Sequence, residues 1–249
     1  MKLSGLWKAL TLALAVAALS LVTASCNSNP GSGGQAQVRV INAVPDGPVL
    51  DIDFNGSKIF SNVAYGAPQP ATTPASYLTV PSGSLMVQGF STGTTTNPIA
   101  PIGTIALTNG VQYTVVAVGL EFNESAPLVV ADDNSAPIGT NGEVRVINAS
   151  NSSPTNGVDV YVVPPATQDL TNFAPQITAL NNNQASGYQI ISFLSGGYTV
   201  FITANGSKLP IITQPITANA ASITTLVILD NPGGSNGMST TPLVLNDLN

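Results

Sequence analysis

A six-residue stretch occurs twice in this chain, and this repetition constrains the fold more than any other feature. Val38-Arg39-Val40-Ile41-Asn42-Ala43 recurs letter for letter from Val144 to Ala149. Each copy is rich in β-branched residues, which favour strands, and each opens a segment of roughly 100 residues, the size of a small domain. A similar phrase closes each segment, at residues 127–130 and at residues 242–245. The repetition therefore predicts two related β domains in tandem.

Composition narrows the functions that such a chain could have. Only 7% of its 249 residues are charged and 43% are hydrophobic, which is the reverse of a disordered chain. The net charge is −6, with six basic residues, too few to neutralise a phosphate backbone, so nucleic-acid binding is not expected. The chain has no histidine. Ser-His-Asp and Cys-His catalytic sites are therefore excluded, and zinc and copper sites lose their usual ligands.

The first 26 residues have the order of parts found in a secretory leader. Lys2 and Lys8 precede or border an apolar run over residues 9–22, and small residues follow that run up to Cys26. A charged start, an apolar middle and a small-residue processing site are typical of a signal peptide. The apolar run is shorter than the ~20 residues that a spanning helix needs. We therefore predict a signal peptide over residues 1–25.

Cys26 is the sole cysteine, so no intrachain disulfide can form. The stretch from Leu21 to Cys26 resembles the lipobox of bacterial lipoproteins, in which the cysteine becomes the first mature residue and carries the lipid. The resemblance implies that the protein contacts a membrane through a lipid on Cys26. The stretch that follows has no apolar residue beyond Pro30 and no periodicity, which predicts a flexible tether over residues 26–34. Asn27, which is not Asp, implies by the same resemblance the outer membrane of a bacterial cell envelope. An ordinary secretory peptide cut near Ala24 is the alternative.

Short strand patterns separated by turn signals fill residues 35–138, the predicted first domain. They number seven or eight, with a turn about every ten residues, as in a β-sandwich. Asn55-Gly56 lies between two β-prone runs and predicts a hairpin, because a type I′ turn needs positive φ at both central positions. In the run Leu50–Phe54 the apolar residues alternate with Asp51 and Asp53. We therefore expect both carboxylates to face solvent.

The same order of strand patterns restarts in residues 142–249, the predicted second domain. Apolar residues of the run 158–162 alternate with Asp159 and Tyr161, which places Tyr161 on the polar face of its strand. We predict an all-β fold with two tandem immunoglobulin-like β-sandwich domains after a lipoprotein signal peptide. One continuous sandwich is the alternative, and the restart at Val144 argues against it.

Several stretches of the first domain match the landmarks of a known family. They are Arg39–Pro48, Leu50-Asp51-Ile52, Asn55-Gly56, Tyr77–Gly83 and Tyr113–Gly119. Together they resemble the bacterial family of domains of unknown function numbered DUF4397, in which His often stands where Asn42 stands here. The resemblance covers most of the first domain, and the second domain is assigned by repeat logic. The family resemblance implies an extracytoplasmic protein. Members of the family are often lipid-anchored, often carry the domain in tandem, and have no assigned activity.

Clustered carboxylates are the candidate metal ligands, because Ca²⁺ binds oxygen ligands and needs no histidine or cysteine. The two clusters are Asp46 with Asp51 and Asp53, and Asp132 with Asp133. We expect at most a weak calcium site, since no spacing matches an EF-hand, and ordinary solvated carboxylates are the simpler interpretation. Asp51 and Asp53 could also form a glycosidase pair, although no aromatic-lined cleft is evident beside them.

Two tyrosines are the candidate ligand-binding residues. Tyr65 lies in a loop and Tyr161 lies on a polar strand face, whereas the other tyrosines sit in or near apolar strands. The remaining catalytic candidates are Lys58 and Lys208 as bases of a Ser-Lys dyad. Each stands in an identical Asn-Gly-Ser-Lys turn, and an exposed turn does not desolvate a lysine enough for that role.

These observations predict a bacterial cell-envelope lipoprotein that is not an enzyme. We expect a role in binding, adhesion or envelope structure, because a tether holds the recognition loops of the sandwiches away from the membrane. The ligand would be an envelope glycan or a protein. The alternative is a carbohydrate-binding accessory module of a surface glycan-handling system.

Overall fold

The computed structural model describes residues 33–248 apart from residues 72–75, 124, 193–196, 218–219 and 234–236. In this described part there are eighteen β-strands and no helix, so the all-β prediction is confirmed. No helix of the described residues is long and apolar enough to cross a membrane. Residues Gly34–Asn249 form one compact unit. The predicted signal peptide and the lipidation site Cys26 lie outside the described residues.

The first repeat comprises nine strands arranged in two sheets. They are β1 (Gln35–Asn42), β2 (Leu50–Phe54), β3 (Ser57–Val63), β4 (Pro68–Gln69), β5 (Leu78–Pro81), β6 (Gly83–Ser91), β7 (Ile99–Leu107), β8 (Gln112–Ala117) and β9 (Leu128–Asp132). One sheet has the order β4-β1-β8-β9, with β5 also paired to β1, and the other has the order β3-β2-β6-β7. Strands β1 and β8 are parallel, which is consistent with the immunoglobulin-like prediction.

The second repeat has the same nine strands in the same order. They are β10 (Gly142–Asn148), β11 (Val158–Val163), β12 (Ile177–Leu180), β13 (Gln184–Ala185), β14 (Gln189–Ile191), β15 (Tyr198–Ala204), β16 (Pro210–Ile216), β17 (Ile223–Ile228) and β18 (Leu243–Leu248). Its sheets have the orders β13-β10-β17-β18, with β14 on β10, and β12-β11-β15-β16. Every pairing of the first repeat therefore has a counterpart here, down to the parallel pair β10 and β17.

Alternation along the repeated hexapeptide divides its side chains between two cores. Val38 and Val40 point into the core between the two sheets of the first repeat. Ile41, one residue out of phase, lies on the opposite face of the sheet, where it joins an apolar cluster that also contains Ile147 of the second copy. The two copies of the hexapeptide therefore face each other across the junction between the repeats.

The junction is a hydrophobic core in its own right. Its buried members come from both repeats: Ile41, Ala43, Val116, Val118, Ile147, Ala149, Val227, Leu229 and Leu245. Each repeat also has an internal core between its own two sheets. The compact unit is thus four β layers deep, and the middle two layers pack against each other across the junction.

The buried asparagine of each hexapeptide ties its own two sheets together. Asn42 Nδ2 donates to the carbonyl of Val63 at 3.1 Å, and Asn148 Nδ2 donates to the carbonyl of Leu180 at 3.0 Å. Both asparagines are fully buried, so these hydrogen bonds satisfy amide groups that would otherwise lack a partner. The predicted hairpin is also present, since Asn55 and Gly56 have φ values of 50° and 75°.

Candidate functional site

Four buried charged side chains meet at the junction between the repeats. Arg39 Nη1 lies 2.6 Å from Asp247 Oδ1, and Arg145 Nη2 lies 2.7 Å from Asp132 Oδ1. The other two arginine–aspartate approaches are both 3.8 Å. Each arginine therefore makes its close ion pair with the aspartate of the other repeat. We call these four residues the buried quartet.

Two threonines close the buried quartet into a ring. Thr114 Oγ1 accepts from Arg39 Nε at 2.7 Å and donates to Asp132 Oδ2 at 2.7 Å. Thr225 Oγ1 accepts from Arg145 Nε at 3.2 Å and donates to Asp247 Oδ2 at 2.5 Å. The ring has the same connections in both halves, so it is symmetric about the junction between the repeats.

Aromatic rings cover the two guanidinium groups. The Arg39 Cζ lies 5.4 Å from the centre of the Tyr77 ring, and the Arg145 Cζ lies 4.6 Å from the centre of the Tyr188 ring. Burial by itself would lower the pKa of Arg39. The nearby carboxylates of Asp247 and Asp132 raise the pKa by more than burial lowers it, so the net shift is upward. The guanidinium of Arg39 remains charged, and the buried quartet is an ion-paired structural element.

The expectation that Asp51 and Asp53 face solvent is wrong. Both side chains are buried, and Asp51 is only 2% exposed. Asp51 Oδ1 accepts from Asn62 N at 3.0 Å, and Oδ2 accepts from Gly93 N at 3.2 Å. Lys58 Nζ lies 2.7 Å from Asp51 Oδ2. The carboxylate therefore fastens a bulge of β3 and the turn after β6 onto β2.

Asp159 plays the same structural part in the second repeat. It accepts hydrogen bonds from Ala179 N at 3.0 Å and from Gly206 N at 2.8 Å. Ala179 and Asn62 both have positive φ values, 50° and 56°, and both stand at an interruption of the strand register. Asp51 and Asp159 thus occupy corresponding positions because each accepts a hydrogen bond from a backbone N–H at a β-bulge.

The remaining carboxylate candidates are separated in the structure. Asp46 is exposed and accepts a hydrogen bond from Glu121 N at 2.9 Å. Asp132 belongs to the buried quartet, whereas Asp133 is exposed and accepts from Ser135 N at 3.0 Å. Across the described residues no three His, Cys, Asp or Glu side chains are grouped so as to share a metal ion. The calcium site stays an untested prediction.

Tyr65 lies at the junction, where it is half-buried. Its hydroxyl donates to the carbonyl of Asp230 in the second repeat at 2.7 Å. Burial and the Asp230 carboxylate raise the pKa of Tyr65 to about 12. The side chain also packs against the junction core. Tyr65, predicted as a ligand-binding residue, thus connects the first repeat to the second through this hydrogen bond.

The expectation that Tyr161 lies on an exposed face is wrong, because the side chain is only 2% exposed. The segment between β11 and β12 folds back over the outer face of the sheet, and its Leu170 and Phe173 pack against the tyrosine. Lys208 Nζ lies 4.6 Å above the ring and donates to the carbonyl of Phe173. The alternation of residues along a strand cannot predict such a covering loop, and this loop buries Tyr161.

Loops from both repeats meet at one end of the molecule. Gly233 N donates to the carbonyl of Pro45 at 2.7 Å, and Asn151 Nδ2 donates to the carbonyl of Gly119 at 3.1 Å. We call the loops that these bonds join the four-loop surface. It comprises residues 43–49, 118–127, 149–157 and 229–242, apart from the residues that the structure does not describe.

A tight turn presents an aromatic ring on the four-loop surface. Phe122 is 87% exposed and Leu120 is 41% exposed. The turn is ordered by a hydrogen bond from Asn123 N to the carbonyl of Leu120 at 3.0 Å. Glu121 N donates to Asp46 Oδ1, which fastens the turn to the neighbouring loop. An exposed aromatic ring on a fixed turn is suited to burial by a partner.

A polar cleft of about 660 Å³ lies at the opposite end of the first repeat. Six polar residues define what we call the amide cleft: Gln35, Gln37, Asn109, Gln112, Asp133 and Asn134. Gln112 Nε2 donates to Gln37 Oε1 at 2.7 Å, and Asn134 Nδ2 donates to Gln112 Oε1 at 2.8 Å. These bonds orient three amide groups along one wall.

Sequence reasoning did not single out Arg39, Arg145 or Asp247. One signal was available, because an arginine recurs inside an otherwise apolar strand of a chain that has only six basic residues. A charge kept within a buried strand pattern indicates a buried partner. The identity of that partner is a property of the fold, since Asp247 follows Arg39 by 208 residues.

Comparison with known proteins identifies one family. The family model described as Domain of unknown function (DUF4397) matches residues 36–161. The match extends from β1 into β11, and so it covers the first repeat and the opening of the second. No curated protein sequence matches the chain.

Two solved structures are similar to this chain at low identity. The first is described as the Bacillus anthracis TIE protein, at 12% identity and a TM-score of 0.25; the match covers 79% of this chain and 33% of that one. The second is CBMbc, of family CBM26, from Eubacterium rectale Amy13K in complex with maltoheptaose. It has 9% identity and a TM-score of 0.27, and the match covers 84% of this chain and 95% of that one.

Proposed function

The chain belongs to the family Domain of unknown function (DUF4397), and on that premise we propose that it is a non-catalytic binding protein of the bacterial cell envelope. In this proposal a lipid on Cys26 anchors the protein to the outer membrane, and the four-loop surface binds a protein partner. The observation that carries the proposal is the exposure of Phe122 on a turn fixed by hydrogen bonds.

The position of the four-loop surface supports this role. Strand β1 begins at Gln35, nine residues after Cys26, and ends beside the four-loop surface at Asn42. A tether of this length spans at most about 30 Å. The end of the first repeat near Gln35 is thus the tethered end, and the four-loop surface points away from it. Contact with a partner beyond the membrane surface would use the loops.

The junction between the repeats also supports a binding role for the four-loop surface. The four loops come from two repeats, and the buried quartet and the junction core hold those repeats together. A surface whose parts are already fixed loses little conformational entropy when it binds. An aromatic side chain such as Phe122 supplies large contact area with few rotatable bonds, which suits the centre of a protein interface.

Site-specific photo-cross-linking in intact cells tests the partner. A photoreactive residue at Phe122 is expected to give a discrete cross-linked species. The matched control is Ile138, which is also a large apolar residue and is 90% exposed, but which lies in the connection between the repeats. Cross-linking that is equal at both positions, or absent at Phe122, would contradict the proposal.

The anchor is tested separately by mass spectrometry of the mature N-terminus. The expected result is an acylated Cys26 as the first residue, and Cys26→Ser should release the protein from the membrane fraction. A mature N-terminus at another residue would contradict the lipid anchor. A turnover that is abolished by one Asp substitution would contradict the non-catalytic role.

A further inference from the structure

The amide cleft is separate from the four-loop surface and has its own chemistry. Its volume of about 660 Å³ falls within the range of small-molecule sites, about 300–1,000 Å³. Most such sites are largely apolar, whereas glutamine, asparagine, threonine, serine and aspartate line this one, with a single valine. Polar surface exceeds apolar surface in this cleft, so a ligand that forms hydrogen bonds fits it better than a purely apolar one.

The charges around the amide cleft exclude anions as the favoured ligand. None of the described residues that line it is basic. Asp132 is among the lining residues, but its carboxylate is fully buried and paired with Arg145. Asp133 is exposed, and its hydrogen bonds with Ser135 hold its pKa below the usual range for aspartate. A phosphate, sulfate or uronate group would therefore meet a carboxylate without a compensating cation.

The amide groups are oriented before any ligand arrives. Asn134 Nδ2 donates to Gln112 Oε1 and also to the hydroxyl of Tyr77, at 2.8 and 2.9 Å. The Tyr77 hydroxyl in turn donates to Asp132 Oδ2 at 2.9 Å. The cleft wall is thus connected to the buried quartet, which fixes its position. Pre-orientation of this kind lowers the entropy cost of binding.

Unused hydrogen-bonding capacity remains on the same wall. Asn134 does not supply it, because both N–H donors of its Nδ2 are already used and its Oδ1 is shielded from solvent. The amides of Gln37 and Gln112 each retain N–H donors beyond the bonds described above. A ligand for this wall must both donate and accept at closely spaced points. A hydroxyl group does both, so a compound with several neighbouring hydroxyls matches the wall best.

We propose that the amide cleft binds a neutral saccharide through hydrogen bonds between its hydroxyl groups and the side-chain amides of Gln37 and Gln112, the second of which Asn134 orients. The proposal does not depend on the four-loop surface or on its protein partner. The cleft lies at the tethered end of β1, so a saccharide bound there would be close to the membrane while the loops bind elsewhere.

Titration calorimetry on the full chain tests the proposal. The probes are maltose, cellobiose and chitobiose as neutral disaccharides, and a disaccharide that contains glucuronic acid as the charged comparison. The detergent that keeps the protein in solution must have no sugar headgroup, because such a headgroup would compete for the cleft. Saturable binding of at least one neutral disaccharide, and weaker binding of the charged one, is expected.

Variants locate the binding site. Gln37→Ala and Gln112→Ala should each weaken binding about tenfold or more, since each removes a group that hydrogen-bonds the ligand. The matched control is Gln214→Ala, which removes an amide from a different groove, in the second repeat. Circular dichroism verifies that each variant is folded.

Three outcomes would overturn the proposal. They are no heat of binding with any of the neutral disaccharides, an equal loss of binding in the Gln214→Ala control, and binding that a chelator abolishes. In the last case the carboxylates would be metal ligands and the amides would not be the recognition groups. Cross-linking through Phe122 is independent of all three.

Discussion

Asp247 Oδ1 accepts a hydrogen bond from Arg39 Nη1 at 2.6 Å, although 208 residues separate the two in the chain. The same contact recurs between Arg145 and Asp132, at 2.7 Å. Because each arginine is paired with the aspartate of the other repeat, neither repeat contains the whole arrangement. The first repeat alone would keep Arg39 without its close carboxylate partner.

Asp247→Ala should therefore lower the free energy of unfolding by about 3–5 kcal/mol, since it leaves Arg39 buried without its close partner. Chemical denaturation followed by circular dichroism measures the change. Asp133→Ala is the matched control, because that carboxylate is exposed and its loss should change stability by less than about 0.5 kcal/mol. Similar effects of the two substitutions would mean that the buried quartet contributes no stability.

A chain that ends near residue 140 tests the predicted division into domains 35–138 and 142–249. The first repeat keeps its own core but exposes its junction residues, so we expect it to fold with a lower denaturation midpoint than the full chain. Addition of the second half in trans should raise that midpoint. A half that does not fold by itself would contradict the division. An unchanged midpoint would show that the junction adds no stability.

Acid should remove the stability that Asp51 contributes. Burial alone would raise the pKa of Asp51, but hydrogen bonds from Lys58, Asn62 N and Gly93 N lower it from 3.8 to about 2. Because the pKa is lower in the folded state, this contribution is present above about pH 4 and is lost as the pH falls to about 2. The shift corresponds to roughly 2 kcal/mol at neutral pH.

The variant Asp51→Asn should have a lower free energy of unfolding than the wild type at neutral pH. Its free energy of unfolding should also change less with pH between pH 4 and 2. Urea denaturation at a series of pH values measures both. Asp169→Asn is the control, because that carboxylate also has a lowered pKa but is fully exposed. An unchanged acid dependence in Asp51→Asn would contradict the assigned role.

Alkali should act on Tyr65 in the opposite direction. Its pKa is raised from 10.0 to about 12, so the folded state holds the phenol proton more tightly than the unfolded state does. The stability that this contributes is present below pH 10 and is lost as the pH rises to about 12. Tyr65→Phe should lose about 1 kcal/mol at neutral pH with the hydrogen bond to Asp230, and it should lose less than the wild type between pH 10 and 12. Denaturation midpoints at these pH values measure the difference, and parallel curves would refute it.

Two glycines with similar backbone angles separate conformational strain from steric contact. Gly56 and Gly157 have φ values of +75° and +79°, but a Cβ at Gly157 would lie 2.7 Å from the carbonyl carbon of Ala179, whereas nothing lies within 4 Å at Gly56. Gly56→Ala should cost about 1–2 kcal/mol through strain alone, and Gly157→Ala should cost more by a further 1–3 kcal/mol or so. Thermal unfolding of both variants measures this, and equal losses would mean that the contact at Ala179 relaxes without cost.

The sequence by itself determined the features that depend on local chemistry and on repetition. The copied hexapeptide and the alternation of apolar residues were enough to predict an all-β chain with a restart at Val144, because strand periodicity and hairpin turns depend on neighbouring residues. The turn at Asn55-Gly56 is one such case. The resemblance to the DUF4397 family was likewise carried by short sequence motifs.

Only the tertiary structure decided where the charged and aromatic side chains lie. The carboxylate of Asp51, predicted to face solvent, is covered by backbone donors from a bulge and a distant turn, and Tyr161 is buried by a loop that returns over its sheet. The pairing of Arg39 with Asp247 is of the same kind. Such contacts join residues that are far apart in the chain, and strand periodicity reports only which side of a strand a residue is on. What packs against that side depends on how the two repeats and their loops come together in space.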